Sequence, residues 1–509
     1  MKTPKTYSSI PRGFSAELVT IEGDISKGLT SFNIVGLASR TIDESRERIR
    51  AAIRNSRLFF PSDKLTINLA PASLQKSGNY LDLAIAVNIL ALTGQLLGSD
   101  IAESMFVGEL ALDGHLRPVR GIINVAECAA NHGFRKLYLP RQNAAQVRFL
   151  RLKNLSITPV DSLRELVLTL KGIVQPPTPE RSPKNNVVKN THTDTAYAFL
   201  DQIIGQDQAK RALIVALAGH HNLLLYGPPG SGKTQLASCA PSLLPPPSRE
   251  EAIAATKLHS LVEDRTTMLN ERPFRAPHHS ASRAALIGDS SGLPGEISLA
   301  HTGVLYLDEL PEFRRDLLEA LRQPLENHTV TIARAKQRVS FPANFMLIAT
   351  MNPCPCGYYG DDYHECKCSL TGRLNYLRRL SGPLLDRIDM TVRMPRIDSS
   401  VLVKNTTIST HQHASAKRQI AAAAWRQQTR QGKQNGSLSS FETTQHCPRT
   451  KEAEQILKEA ANKLCLSARS YFKLIKVART IADLAESDQI EATHVLEALQ
   501  FRDIGPNLE

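Results

Sequence analysis

Residues Leu223–Ser238 read LLLYGPPGSGKTQLAS. An apolar run typical of a buried strand leads into the spacing Gly-x-x-x-x-Gly-Lys-Thr, and a helical pattern follows. In this spacing, glycines let backbone N–H groups turn inward around a β-phosphate, and the start of the helix favours negative charge. The stretch therefore predicts a phosphate-binding loop made of Gly227, Pro228, Pro229, Gly230, Ser231, Gly232, Lys233 and Thr234.

Two further apolar runs end in polar residues that suit the same site. GVLYLDEL (Gly303–Leu310) ends in Asp308 and Glu309, and NFMLIATMN ends in Asn352. We expect Lys233 to reach the β- and γ-phosphates, and Thr234 and Asp308 to hold Mg²⁺. Glu309 would polarise the attacking water, with Asn352 bonding that water or the γ-phosphate. A solvated turn at the acidic pair and a simple strand cap at Asn352 remain the alternatives.

Bulk composition indicates a cytoplasmic protein with an anionic partner. The 509 residues are too many for one core, and 42% hydrophobic with 22% charged residues is ordinary for a soluble globular protein. The N-terminus carries no apolar leader, and the longest apolar stretch is interrupted by Asp82 and Asn88. A formal charge of +13 points to nucleic acid as the first candidate partner.

The pattern of apolar residues divides the chain into four parts. Strand-like and helix-like runs alternate over 1–172, and 173–198 reads as a linker rich in Pro, Asn and charge. Residues 199–395 show the alternation of a parallel α/β sheet and contain a Cys-rich loop, 354–368. Residues 396–509 read as mostly helical, with a polar and mobile loop over 427–440. From this pattern the predicted fold class is α/β, with a helical C-terminal part.

Four cysteines lie close together directly after Asn352. Cys354, Cys356, Cys366 and Cys368 form two Cys-x-Cys pairs separated by nine residues. Four thiolates suit tetrahedral Zn²⁺, although the usual spacing within a pair is longer, and His364 or an Asp of the loop could replace one sulfur. Buried free thiols are the alternative. The remaining cysteines, Cys128, Cys239, Cys447 and Cys465, are expected to be core residues.

Several long segments resemble the magnesium-chelatase-like AAA+ ATPases, and more narrowly their ComM/YifB-type branch. They include IIGQDQAKRALIVALAGHHNLLLYGPPGSGKT, RPFRAPHHSASRAALIG, PGEISLAHTGVLYLDELPEF and SGPLLDRIDM. This resemblance implies a ring, expected to be a hexamer, with ATP and Mg²⁺ bound between subunits. It implies that Arg387 is the arginine finger and Arg469 the sensor-2 arginine of the lid. Without the resemblance, a surface ion pair of Arg387 with Asp386 or Asp389 would be favoured.

The resemblance also implies a function. Proteins of this branch are understood as ATP-driven DNA translocases or helicases that promote branch migration when transforming DNA is recombined. TVTIARAKQRVSF reads as a hairpin, and in related rings such a hairpin faces the pore. Arg334, Lys336 and Arg338 would then contact single-stranded or branched DNA; an exposed, solvated turn is the alternative. Recombination proteins are possible partners, and no membrane is expected.

The N-terminal part resembles a proteolytic domain without its nucleophile. VGELALDGHLRPVRGIINVAECAANHGFRKLYLP is similar to the Lon protease domain, and this resemblance implies an α+β fold for the N-terminal domain. Tyr80 stands where the Lon serine would be, and Ile123 stands at or beside the lysine position, so acyl-enzyme chemistry has no starting point. Ser73, Ser77 and Lys76 leave a rearranged dyad as a weak alternative. Two other functions remain open: a magnesium-chelatase motor subunit, although no metal-adhesion-type domain follows, and an ATP-dependent protease.

Overall fold

A computed structural model describes residues 3–36, 40–73, 76, 79–175, 199–263, 267–289, 292–333, 338–397 and 411–502, with the backbone alone for 40–43 and 333. The chain divides into two compact units. The first comprises Met1–Asn190, Thr256–Leu269 and Ala333–Ser340; the second comprises Thr191–Ala255, Asn270–Ile332 and Phe341–Glu509. The predicted linker lies outside the described residues from 176 onward. The four-part division made above stays a prediction.

The first unit contains short helices and a mixed sheet. Its strands are β1 Lys5–Arg12, β2 Ser15–Ser26, β3 Ser31–Val35, β4 Lys64–Ala70, β5 Ser104–Phe106, β6 Glu109–Leu110, β7 Leu116–Arg117, β8 Lys136–Pro140 and β9 Ser156–Val160. Its helices are α1 Arg40–Asn55, α2 Asp82–Leu92, α3 Gly98–Ile101, α4 Ile122–Asn131, α5 Ala144–Arg148 and α6 Leu163–Leu170. The main sheet has the order β3-β4-β2-β1-β5-β8-β9.

Burial explains why these segments of the first unit form a core. Residues of β4 alternate between buried and partly exposed, as one sheet face requires. Helix α2 is apolar on all sides and is buried from Asp82 to Leu90, so it is a central helix of this unit. The side-chain nitrogen of its polar Asn88 donates to the carbonyls of Ile21 and Pro4. The predicted α+β character of the N-terminal part is confirmed.

The second unit carries the predicted phosphate loop. Its strands are β10 Leu223–Tyr226, β11 Phe274–Arg275, β12 Val304–Leu307 and β15 Met346–Met351, with β16 Met390–Arg393 at the end. A two-stranded sheet pairs β13 Thr329–Ala333 with β14 Arg338–Pro342, which confirms the predicted hairpin; its residues Ala333 and Arg338–Ser340 are assigned to the first unit. The helices that precede the C-terminal part are α7 Asp207–Gly219, α8 Lys233–Ala237, α9 Ala240–Leu243, α10 Arg249–His259, which is assigned to the first unit from Thr256, α11 Arg283–Ile287, α12 Glu296–Leu299, α13 Arg315–Ala320, α14 Arg322–Asn327, α15 Leu370–Leu377 and α16 Gly382–Leu385.

All strand pairs of the five-stranded sheet are parallel, in the order β11-β12-β15-β10-β16. Strands β10, β12 and β15 are buried along their whole lengths, because helices of this unit pack on both faces. In a parallel sheet the carboxyl ends of the strands meet at one edge. The segments that follow β10, β12 and β15 therefore start side by side.

The C-terminal part is helical, as predicted. Its helices are α17 Gln412–Gln431, α18 Ser440–His446, α19 Lys451–Lys463, α20 Ala468–Leu484 and α21 Ala492–Gln500. No helix in the ranges described here has the length and apolar character that a membrane span requires.

The prediction of a mobile polar loop over 427–440 is wrong. Residues up to Gln431 belong to α17, and Asn435 is fully buried. The Asn435 amide donates to Thr480 Oγ1 at 3.0 Å and to Asp483 Oδ2 at 2.8 Å. Polar composition suggested that this segment is solvated, but its asparagine is instead hydrogen-bonded to residues that are distant in sequence.

One of the four isolated cysteines differs from its prediction. Cys465, predicted to be a core residue, is exposed beyond the end of α19, whereas Cys128, Cys239 and Cys447 are buried.

Candidate ATP site and cysteine cluster

The phosphate loop connects β10 to α8, as the sequence predicts. Gly230 and Gly232 have φ of +78° and +88°, and open space surrounds the position of a Cβ at each. Only glycine adopts this backbone without strain, and the open space leaves the loop accessible to a phosphate. Gly227 is required for a different reason: a Cβ there would lie 2.1 Å from the carbonyl oxygen of Met394.

Lys233 lies over its own loop. Its Nζ donates to the carbonyls of Gly227 at 2.7 Å and Pro228 at 2.9 Å, and to Asn352 Oδ1 at 3.2 Å. The structure thus brings together the lysine after β10 and the asparagine after β15, as the sequence predicts. Burial lowers the pKa of Lys233 to about 8, against the opposite effect of the carboxylates of Asp308 and Glu309.

The acidic pair lies beside the loop. Thr234 Oγ1 donates to Asp308 Oδ2 at 3.3 Å, so the two predicted Mg²⁺ ligands are in contact. Hydroxyl and carboxylate oxygens are the hard donors that Mg²⁺ prefers, and the residues present therefore fit this ion. Glu309 has φ of +51°, a left-handed conformation that is rare for a residue with a side chain and is often found at functional sites.

Sequence reasoning missed two residues that position this acidic pair. The Thr350 hydroxyl donates to Asp308 Oδ1 and accepts the N–H of Glu309 at 3.1 Å, so one side chain of β15 orients both acids. His279 Nδ1 lies 4.0 Å from Glu309 Oε2. A threonine within an apolar strand and the pair His278-His279 were visible in the sequence, but nothing local connects them to Asp308 or Glu309.

The two predicted arginines meet at a third residue that the sequence did not indicate. The side chain of Arg387 is 10% exposed and forms an ion pair with Glu326, while its Nη1 donates to the carbonyl of Pro383 at 2.6 Å. Arg469 Nη1 lies 3.4 Å from the same Glu326 carboxylate. The alternative, an ion pair of Arg387 with Asp386 or Asp389, is therefore wrong about the partner residue. Arg387 does form an ion pair, but with Glu326 of α14.

Lys473 joins the segment of Arg387 to the lid helix α20. Its Nζ donates to the carbonyls of Asp386 at 2.6 Å and Ile388 at 3.0 Å, and lies 3.3 Å from Asp389 Oδ1. Lys473 follows Arg469 by one helical turn, so both side chains project toward the same segment. A movement of α20 would therefore be transmitted to the backbone on both sides of Arg387.

The four cysteines after Asn352 form one cluster. Cys354 Sγ lies 3.3 Å from Cys356 Sγ and 3.6 Å from Cys366 Sγ, and the four sulfurs lie within 4.8 Å of one another. Tetrahedral Zn²⁺ with bonds of about 2.3 Å places its sulfurs about 3.8 Å apart, whereas a disulfide needs about 2.05 Å. The donor set and its spacing therefore fit a metal. The predicted replacement of one sulfur by His364 is unnecessary, because all four thiols converge.

The thiols of this cluster differ in acidity. Burial raises the pKa of the Cys354 thiol to about 12. Burial also acts to raise the pKa of Cys356, but hydrogen bonds from the N–H of Tyr358 and from neighbouring thiols lower it to about 6. One thiolate is therefore available at neutral pH to begin metal binding, since the thiolate is the ligand.

The residues predicted for DNA contact are only partly placed. Arg334 and Lys336 lie outside the described residues. Arg338 begins β14 and is exposed. The next residue, Val339, packs close to Gly13 within the first unit, since a Cβ on Gly13 would lie 2.5 Å from Val339 Cγ1.

Neither position that corresponds to the Lon dyad holds a serine or a lysine. Ile123 is fully buried in α4, and Tyr80 is partly buried against the core of the first unit. Lys76 is also fully buried, and its Nζ donates to the backbone carbonyls of Gly36, Leu69 and Pro71. Because its ammonium group donates to three backbone carbonyls, Lys76 has a structural role and does not act as a catalytic base. Ser77 lies outside the described residues.

A phosphate loop, an acidic pair and a polar strand end on adjacent parallel strands, followed by a helical lid, define a P-loop NTPase of the AAA+ class. Three family models match: "Subunit ChlI of Mg-chelatase" over residues 21–143, "Magnesium chelatase, subunit ChlI" over 199–402 and "Magnesium chelatase, subunit ChlI C-terminal" over 410–502.

Relatives of similar length narrow the class. Competence protein ComM of Haemophilus influenzae is 42% identical over 499 residues, 97% of this chain and 96% of that protein. YifB of Escherichia coli is 43% identical over 495 residues, 97% of this chain and 95% of that protein. The chain belongs to the ComM/YifB-type group of magnesium-chelatase-like proteins. This family is of the AAA+ ATPase type, which supports ATPase activity with ATP and Mg²⁺.

The N-terminal likeness to Lon is found independently. A Lon protease of Chloroflexus aurantiacus is 26% identical over 162 residues, which cover 30% of this chain and 19% of that protein. The predicted Lon-like N-terminal domain is thus confirmed at the level of homology.

The pKa of Lys233 predicts how nucleotide affinity depends on pH. Phosphate binds the charged lysine, so binding above pH 8 requires proton uptake and the Kd should rise up to tenfold per pH unit. Below pH 8 the Kd should no longer depend on this proton uptake, because Lys233 is already charged. Lys233→Arg keeps its charge throughout and should remove the dependence. Calorimetric titration of an ATP analogue between pH 7.5 and 9.5 measures it; parallel pH profiles for the two proteins would exclude Lys233 as the cause.

Proposed function

We propose that this protein is an ATP-driven, ring-shaped DNA translocase that promotes branch migration of recombination intermediates during natural transformation. The observation that carries the proposal is the identity of 42% along 97% of the chain with a protein named for competence. A formal charge of +13 and a hairpin between the acidic pair and Asn352 support DNA as the track.

ATP is proposed to bind between subunits of a homo-hexamer. The phosphate loop, Thr234, Asp308, Glu309 and Asn352 would supply one side of the site, and Mg²⁺, when bound, would neutralise charge on the phosphates. Arg387 of the neighbouring subunit would supply the other side. In this chain its guanidinium is paired with Glu326, so reaching a neighbour's phosphate would require that pair to open.

The cysteine cluster supports a second metal ion with a structural role. We propose that Cys354, Cys356, Cys366 and Cys368 bind Zn²⁺, because four protein sulfurs fill a tetrahedral site and leave no open position for catalysis. Recombination proteins remain proposed partners.

The test of the DNA proposal is ATP-dependent unwinding of a forked duplex, with ATPase stimulation by single-stranded and branched DNA. We expect both activities in the purified protein. A protein that hydrolyses ATP without binding or unwinding DNA would contradict the proposal while leaving the ATPase assignment intact.

The hairpin provides a sharper prediction. Replacing Arg334, Lys336 and Arg338 together with alanine should weaken single-stranded DNA binding, because three phosphate contacts are lost. The slope of log K against log salt should fall by about 2, since each contact contributes about 0.7. ATPase activity without DNA should be unchanged. The matched control replaces Lys451, Lys458 and Lys463, exposed residues of α19, and removes the same charge. Equal loss of DNA binding in both variants would refute a specific hairpin contact.

A magnesium-chelatase motor is the second candidate, favoured by the match of residues 199–402 to the magnesium chelatase family. Magnesium insertion into a porphyrin in the presence of chelatase partner subunits is the discriminating assay. We expect no insertion.

A further inference from the structure

The cysteine cluster begins two residues after Asn352. Asn352 follows the last residue of β15, and Cys354 is fully buried. The N–H of Gly357 donates to the carbonyl of Cys354 at 2.9 Å, which closes a turn around Cys356. Any restraint on the sulfurs therefore acts on a backbone that is directly continuous with the asparagine that bonds Lys233.

This turn lies against the phosphate loop. A Cβ on Gly357 would lie 2.8 Å from Cδ and 3.3 Å from Cγ of Pro229, and 3.9 Å from Cγ of Asn352. The Pro229 ring thus leaves no space for a side chain at position 357. The backbone of the cysteine loop at Gly357 is therefore in van der Waals contact with Pro229. Pro229 belongs to the phosphate loop, so the cysteine loop touches the segment that is expected to cradle phosphate.

The far side of the cysteine loop reaches another strand. Arg393, the last residue of β16, donates to the carbonyl of Gly360, and Arg396 Nη1 lies 3.1 Å from His364 Nδ1. Strand β10, which carries the phosphate loop, lies between β15 and β16 in the sheet. A segment that leaves β15 and contacts the end of β16 must cross the end of β10. The cysteine loop therefore spans the base of the phosphate loop.

From this arrangement we propose that the four-cysteine loop is a metal-held brace for the ATP site: bound Zn²⁺ fixes Pro229 and Asn352, and metal occupancy sets nucleotide affinity. The inference rests on the Zn²⁺ site proposed above. Metal ligation replaces the conformational freedom of a polar loop with one geometry, so the phosphate loop is held in its binding conformation. Without metal, backbone hydrogen bonds tie this turn to the cluster: the N–H of Gly357 donates to the carbonyl of Cys354, and the N–H of Tyr358 donates to the sulfur of Cys356.

The experiment uses the full chain and two measurements: zinc stoichiometry after release into a colorimetric chelator, and the Kd of a fluorescent ADP analogue without DNA. Gly357→Ala and Gly360→Ala form a matched pair, with φ of +85° and +74°, so backbone strain is similar. A Cβ at 360 meets only Arg393 Nη2, the end of a flexible side chain, at 3.2 Å, and the carbonyl that Arg393 bonds is retained.

We expect one zinc per chain in both glycine variants, with at least about tenfold weaker nucleotide binding in Gly357→Ala only. Cys366→Ser and Cys368→Ser should lose zinc and weaken nucleotide binding by a similar factor. Cys465→Ser, at an exposed cysteine outside the cluster, should keep both properties.

Other outcomes separate the two proposals. A protein that contains no zinc and takes none up would overturn the metal site and the brace together. Zinc binding with equal nucleotide affinity in the two glycine variants would overturn the brace alone. Loss of zinc in Gly357→Ala would also count against it, because the glycine would then act on the cluster. Since no DNA is present, failure of the translocase proposal does not affect any of these results.

Discussion

Replacing Glu309 with glutamine is expected to reduce ATP turnover by at least about a hundredfold while ATP still binds. A positioned general base contributes about 10²–10⁴-fold to a rate, and glutamine cannot accept the proton of the attacking water. The Glu309 backbone is held by the N–H bond to Thr350 Oγ1 at 3.1 Å, so an isosteric amide should occupy the same position. Steady-state phosphate release and the Kd of an ATP analogue measure the two effects.

The matched control for this prediction is Glu312→Gln. Glu312 lies three residues further on, is exposed and pairs with Arg379 at 2.9 Å. This variant should hydrolyse ATP at the normal rate. If Glu309→Gln kept normal turnover, the acidic pair would have to be reassigned, with Asp308 or His279 as the next candidates.

Replacing Arg387 with alanine is expected to cause the largest loss, about a thousandfold or more in ATP turnover, with nucleotide binding retained. A guanidinium supplied to the transition state by a neighbouring protein is worth 10³–10⁵-fold in related NTPases. Arg314→Ala, which removes an exposed arginine paired with Asp316, should hydrolyse ATP normally. Single-turnover hydrolysis and binding assays distinguish a catalytic effect from weaker binding.

Mixing two inactive proteins tests whether the site is shared. The Lys233→Ala variant keeps Arg387 but lacks the phosphate-binding lysine. The Arg387→Ala variant keeps Lys233 but lacks the arginine. In mixed rings some intact phosphate loops face intact arginines, so part of the activity should return. Two inactive proteins that stay inactive in a proven mixed assembly would show that Arg387 acts within its own chain, where its contacts with Glu326 and Pro383 already place it.

The residues of the phosphate loop and the acidic pair were predictable because their chemistry is encoded in local spacing. A glycine pattern between a strand and a helix, and acids at the end of an apolar run, depend on backbone conformation over fewer than about ten residues. The same holds for the hairpin and for the two Cys-x-Cys pairs. Nothing in these local patterns identified Thr350, Glu326 or Lys473, because their partners are distant in sequence.

Apolar periodicity and local spacing predicted an α/β class, the order of the motifs and a metal site at four closely spaced cysteines, while the family resemblance implied the AAA+ and Lon-like folds. Only the tertiary structure shows which distant residues form hydrogen bonds, ion pairs and packing contacts with one another. It places Arg387 and Arg469 at one carboxylate, buries Asn435 against Asp483, and lays Gly357 against Pro229. The physical reason is that strand order in the sheet, which no short stretch of sequence specifies, brings the ends of β15, β10 and β16 together.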